Sequence, residues 1–331
     1  MATLLLTLSL NLAVSDLRGN KTYAFIAETA GRACSAKRPA TKPPCEGKSN
    51  HRILIGAMLA YEADTLQIAL AEYDGVADIL ITENRGVHNP KEKSFLKPFL
   101  LWPTLQSRPE FSVRESLVFF HECTGRRHSN EMWEAERSDD RCMSQAIKKH
   151  ASDYDVFIVG SVDEILARET LLKLKHCDLP SFPANGGIGM PLGKLGRSFR
   201  NDWPIPENPN AFSLPTIYGR QHAETGRAVR HIGSIGPSIQ GGLHMTNYCF
   251  IPAMTLKELW TTSYGHRHLD TCSSIKALKE KCYHMLRHRV TPGTGPETIT
   301  PWLLEACPDA FPSWYGNIDD RDVAFVSMAN C

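Results

Sequence analysis

Four short apolar runs, alternating with segments that repeat apolar residues at helical spacing, constrain this chain more than any other feature. The runs are Arg52–Leu59, Ala77–Glu83, Ser116–His121 and Tyr154–Gly160. Each is too short for a buried helix and apolar on both faces, which is the pattern of a strand covered from above and below. Glu62–Tyr73, with Leu66, Ile68, Ala69 and Leu70, predicts a helix, as do Asn130–Lys149 and Ala167–Lys175. The expected fold is therefore α/β, a mostly parallel central sheet with helices on both faces. In such sheets ligands bind beyond the carboxyl ends of the strands, so residues there are the first candidates for chemistry.

The remainder is less regular. From 180 to 242 the chain is rich in Pro and Gly with interspersed aromatics, including Trp203, and long ordered loops beside a cleft are expected. Gly241–Phe250 leads into a helix predicted over Thr255–Ser263. At the start, Thr3–Val14 is apolar but too short to span a bilayer, so residues 1–18 read as a signal peptide or short anchor, with membrane association through that end. Residues 19–50, with Pro39, Pro43 and Pro44, read as a flexible stem, and the folded domain is expected over 51–331.

A net charge of +1 without a basic stripe removes nucleic acid as a leading partner. Ten cysteines with no C-x-x-C pair fit disulfides in an oxidising compartment better than a zinc ribbon.

Ser161-Val162-Asp163-Glu164-Ile165-Leu166 follows the fourth predicted strand directly. Adjacent carboxylates at a strand end repel one another unless a cation or a shared proton relieves them. The alternative is a solvated turn opening the next helix, which Glu164 would cap. Asp163 is the leading candidate for a metal ligand, with His244 as a second. Glu83, also at a strand end, is a candidate for nucleoside contact or for a buried salt bridge. Arg141 has the fork geometry for phosphate, or for an exposed helix ion pair. Trp203 is a candidate sugar platform.

Taken in order, Tyr61-Glu62-Ala63-Asp64-Thr65-Leu66, Val76-Ala77-Asp78, Ile81-Thr82-Glu83-Asn84, Trp133-Glu134-Ala135-Glu136, Asp140-Arg141, Asp155–Val159 and Asp163-Glu164-Ile165 resemble glycosyltransferase family 17. His244 with Cys249-Phe250, and Pro301-Trp302-Leu303-Leu304 with Pro308 and Phe311, resemble its later segments, so the similarity runs over about residues 52–315. Ser161 stands where the family has the first aspartate of its acidic motif, and Leu166 where it has a proline. The resemblance implies a GT-A-like domain that binds a UDP-sugar and Mn²⁺ or Mg²⁺. The implied reaction is inverting transfer of N-acetylglucosamine to a glycan of an N-linked glycoprotein in the Golgi lumen. In that chemistry Asp163 and His244 hold the metal, Asp163, Glu83 and Arg141 hold the donor, and Glu164 is the candidate base. Two other readings of the same residues are a non-catalytic carbohydrate-binding protein and a metal-dependent hydrolase.

Overall fold

The computed structural model describes residues 17–45, 49–87, 95–97, 99–124, 132–189, 191, 194–195, 211–212, 214–230, 235–245, 249–260, 276, 278–280 and 299–328. The four predicted strands form in the predicted places as β1 (Ile53–Leu59), β2 (Asp78–Asn84), β5 (Val118–Cys123) and β6 (Val156–Ser161), with the two-residue strands β3 (Gly86–Val87) and β4 (Phe95–Leu96) pairing with each other. They pair in parallel in the order β5-β2-β1-β6. Beyond β6 the sheet becomes mixed. Strand β10 (Thr216–Gly219) runs antiparallel to β6, then follow β8 (Ala184–Gly189), β11 (Ser238–His244) and the short β7 (Glu164–Leu166), while β9 (Ala211–Phe212) pairs with β8.

Alternation along β1 sorts the core into two layers. Ile53, Ile55, Ala57 and Leu59 face one layer together with residues of α1 (Leu17–Thr29), α2 (Ala63–Tyr73) and, later in the chain, α5 (Arg168–His176). Leu54 faces the other, where Met143, Ala146 and Ile147 of α4 (Met132–Lys148) pack with Leu80, Phe157 and Val159. Gly56 sits beneath that helix: a Cβ there would lie 2.7 Å from the Met143 sulfur, so any side chain at this point would force Met143 and Ile147 to shift. The sheet is thus covered by helices on both faces, as expected.

The first part of the segment expected as a flexible stem packs on the domain, while residues 31–45 are half-buried or exposed. Tyr23 of α1 is fully buried, its hydroxyl donates to Glu83 at 3.0 Å, and disulfides Cys34–Cys307 and Cys45–Cys177 fasten the chain that follows. The physical reason is that α1 carries a buried face, with Tyr23, Ile26 and Ala27, which a free stem would leave in water. Among the described residues no helix is long and apolar enough to cross a membrane, and the signal or anchor expected over 1–18 lies almost wholly outside them.

After the short α6 (Arg220–Glu224), the helix predicted over Thr255–Ser263 begins earlier, as α7 (Ile251–Trp260). Its first N–H, on Ile251, donates to Asp322 at 2.8 Å, so the cap is supplied by α9 (Asp320–Met328), near the end of the chain, and not by a neighbouring residue. Glu72 acts similarly, accepting from Arg168 N at the start of α5 and from Trp302 N at the start of α8 (Trp302–Ala306). The double glycine 241-242 of β11 makes a bulge; Gly241 has φ +121°, and a Cβ there would meet the Thr170 hydroxyl at 2.4 Å.

Candidate active site at the strand-order switch

From β1 the chain builds outward through β2 to β5, then returns to place β6 on the other side of β1. Strand order reverses between β1 and β6, and the crevice beyond their carboxyl ends is where an α/β sheet of this kind receives ligands. Met58 pairs with Ser161 at that edge. Just past it the chain places Tyr61 and Glu62 from β1 and Asp163 from β6. These line a small cleft with Met245 and with Ala253, Met254 and Lys257 of α7.

Asp163, which lines this cleft, meets His244. β7 and β11 pair antiparallel with His244 opposite Glu164, and the Asp163 carbonyl accepts from Met245 N at 2.6 Å. That register brings His244 Nε2 to 3.2 Å from Asp163 Oδ2, with both residues buried. Burial alone would push the Asp163 carboxyl up, but His244, and beyond it Lys257 and Arg230, hold it well below the usual carboxylate range. Asp163 is therefore an anion at any physiological pH.

Glu164, its neighbour, belongs to a different set of contacts. Its carboxylate is fully enclosed, takes the Arg230 guanidinium through Nε at 3.0 Å and through Nη2, and accepts from Ser161 N at 3.1 Å. The adjacent carboxylates are thus relieved separately, Asp163 by His244 and Glu164 by Arg230. Neither a helix cap nor a free base is what Glu164 forms: it lies in β7, before α5, with its charge already matched.

Glu83 takes the buried salt-bridge alternative in place of nucleoside contact. It accepts from Lys97 Nζ at 3.0 Å, from Tyr23, and from the backbone N–H groups of Leu101 and Trp102 that open α3 (Leu101–Leu105). A carboxylate enclosed by so many protein donors has no face left for a ligand. Arg141 is exposed on α4 and is not among the cleft-lining residues. Trp203 lies outside the described residues.

Three residues that matter here carry no local sequence signal as site residues. Arg230 and Lys257 lie in segments read as loop and ordinary helix, and each reaches the 161–164 segment only through the fold. Glu62 stands in the stretch that resembles a family, but nothing in its spacing marks a role. Its carboxyl is pushed up to about 7 by burial and by the charge of Asp163, against the backbone N–H groups it accepts.

No protein-family model and no curated protein matches the sequence. Among solved structures, the apo form of mouse xyloside xylosyltransferase 1 aligns at 10% identity over 82% of this chain and 85% of that one, with a TM-score of 0.23, too low to bear on fold or function.

Asp163, Glu164 and His244 each offer a ligand atom, and these atoms lie within 4.8 Å of one another. The donor set suits a hard or borderline divalent cation. Asp163 and His244 fit best, since Glu164 is committed to Arg230. The disulfides, Cys123–Cys142 among them, fit a protein of the secretory pathway or the cell exterior.

Proposed function

We propose that this chain is an inverting glycosyltransferase that moves a sugar, N-acetylglucosamine, from a UDP-sugar to a glycan of an N-linked glycoprotein in the Golgi lumen. The observation that carries the reading is the buried Asp163–His244 pair in the cleft where strand order reverses, with Lys257 beside it. The donor sugar and acceptor are taken from the resemblance to glycosyltransferase family 17, whose acidic motif and late histidine these two residues match. With that family comes the GT-A description of the sheet.

The chain's own groups suit a reaction whose leaving group is a diphosphate. Asp163 remains ionised, and with His244 beside it the two residues would hold a divalent cation. Mn²⁺ or Mg²⁺ bound there would offset the charge that develops on the departing diphosphate. Lys257, on the same cleft, would add positive charge beside a diphosphate bound there. Met245, Ala253 and Met254 give the cleft an apolar wall that keeps bulk water from competing with the acceptor hydroxyl. Glu164 could serve as base only after releasing Arg230, so its part is to hold β7 and the Ser161 turn in position.

Ser161 favours a second reading, a carbohydrate-binding protein without turnover. Its hydroxyl donates to the Met58 carbonyl at 3.4 Å, and it brings no carboxylate to a position where the family has one.

An assay of UDP-N-acetylglucosamine consumption, with and without Mn²⁺ and with a glycoprotein glycan as acceptor, separates the readings. Metal-dependent transfer is the expected result. Glycan binding with no turnover of any UDP-sugar supports the second reading, and gain of turnover in Ser161→Asp would identify the missing carboxylate as its cause. Phosphoester cleavage with no acceptor present would indicate a hydrolase instead.

A further inference from the structure

Four buried or half-buried acidic side chains gather at the carboxyl edge of the sheet: Glu62, Glu83, Asp163 and Glu164. Three are occupied by protein cations or donors, Glu83 by Lys97, Asp163 by His244 and Glu164 by Arg230. Glu62 is different. It stands between β1 and α2 and lines the cleft, and backbone N–H groups hold it: Oε2 accepts from Tyr61 N at 2.9 Å and Ala60 N at 3.2 Å, and its own N–H also acts on the carboxyl. No side chain among the described residues donates to its Oε1.

This arrangement is that of a binding group. Two backbone donors fix the plane of the carboxylate, so the second oxygen is aimed without further loss of side-chain freedom. The surroundings are mixed in a specific way: apolar side chains at Met245, Ala253 and Met254, and a cation at Lys257. A carboxylate oxygen beside an apolar wall matches a sugar ring, which presents hydroxyl donors at its rim and C–H groups on its face. The switch-point location matches the place where acidic side chains receive ribose hydroxyls in other nucleotide-binding sheets.

We propose that Glu62 is a ligand-binding residue whose Oε1 accepts a hydrogen bond from a hydroxyl of a sugar ring in the bound donor. This rests on the UDP-sugar reading above. Two rings of such a donor carry that chemistry, the ribose and the transferred sugar.

The test is calorimetric titration of the full chain with UDP and with UDP-N-acetylglucosamine, both in Mn²⁺, for the native protein, Glu62→Ala and Glu62→Gln. Loss of a hydrogen-bond acceptor predicts a weakening of about 3–10-fold in Glu62→Ala. Glu62→Gln keeps an oxygen for the Ala60 and Tyr61 N–H groups, so it preserves the local fold, but it puts an amide nitrogen, which cannot accept, at the Oε1 position and is expected to weaken binding too; a thermal melt of each variant verifies folding. Equal weakening for both ligands identifies the ribose hydroxyl. Weakening for UDP-N-acetylglucosamine alone identifies the transferred sugar. If the native protein binds both ligands and a folded Glu62→Ala binds them equally well, the role of Glu62 is overturned and the donor reading stands. If the native protein binds neither, the donor reading fails and this inference with it.

Discussion

Glu164 and Arg230, 66 residues apart in sequence, form a buried ion pair in which the carboxylate is fully enclosed and the guanidinium is nearly so. The pair explains how two consecutive acidic residues coexist at a strand end. It also removes Glu164 from the chemistry and gives it a structural part, since its other bond holds Ser161 N. Breaking one half of such a pair strands a buried charge. Arg230→Leu should therefore cost about 3–5 kcal/mol in urea unfolding. The double variant Arg230→Leu with Glu164→Leu should cost clearly less than the sum of the single changes, and strict additivity would contradict the pairing.

Glu83 and Lys97 make a second enclosed pair, joined by Tyr23 from α1 and by the first N–H groups of α3. Glu83→Gln is expected to lower stability by about 3–5 kcal/mol. Affinity for UDP should stay within about twofold of the native value, because the residue lies apart from the cleft. A folded Glu83→Gln that loses UDP binding would restore the nucleoside role.

The disulfide Cys34–Cys307 closes a loop of 273 residues and ties the segment after α1 to the end of α8. Replacing both cysteines by alanine should destabilise the domain by about 2–5 kcal/mol. A flexible stem would show no change, so a melt of this variant measures directly whether residues 17–45 belong to the fold.

How much of this was legible depended on sequence distance. β1, β2 and β6 are buried on both faces, so their composition alone marks them, the half-buried edge strand β5 is marked by its apolar run, and the carboxyl edge followed from their direction. β8, by contrast, reads Ala-Asn-Gly-Gly-Ile-Gly. A Cβ on Gly186 would lie 2.8 Å from the Pro215 ring, so close packing required the residue that erases the strand signal. Asp163 and His244 stood out as residue types, and the fold pairs them. Glu164 and Glu83 looked equally chemical, but their partners Arg230, Lys97 and Tyr23 come from elements that no local pattern connects to them. The start of α7 was displaced for the same reason, since its cap is Asp322.

Burial pushes the Asp322 carboxyl up to about 7, with the charge of Asp319 adding to it and the Ile251 N–H and Arg321 opposing. An unfolded aspartate titrates near 4, so between about pH 4 and 7 the native state holds a proton that the unfolded state has lost. This group's contribution to stability therefore falls as pH rises through that window, with a slope of at most about 1.4 kcal/mol per pH unit. Asp322→Asn should flatten that part of the stability curve, seen as a native-minus-variant difference in urea midpoints. A difference that is constant from pH 4 to 7 would contradict the shift.

The most direct test of the site is titration of UDP into the native protein and into Asp163→Asn, each with Mn²⁺ and with chelator. Asp163 and His244 are expected to make binding metal-dependent, so the native protein should bind UDP in Mn²⁺ and weaken by at least about tenfold on chelation or in Asp163→Asn. UDP affinity in folded Asp163→Asn equal to that of the native protein, with or without Mn²⁺, would show that the cleft at the strand-order switch is not the donor site.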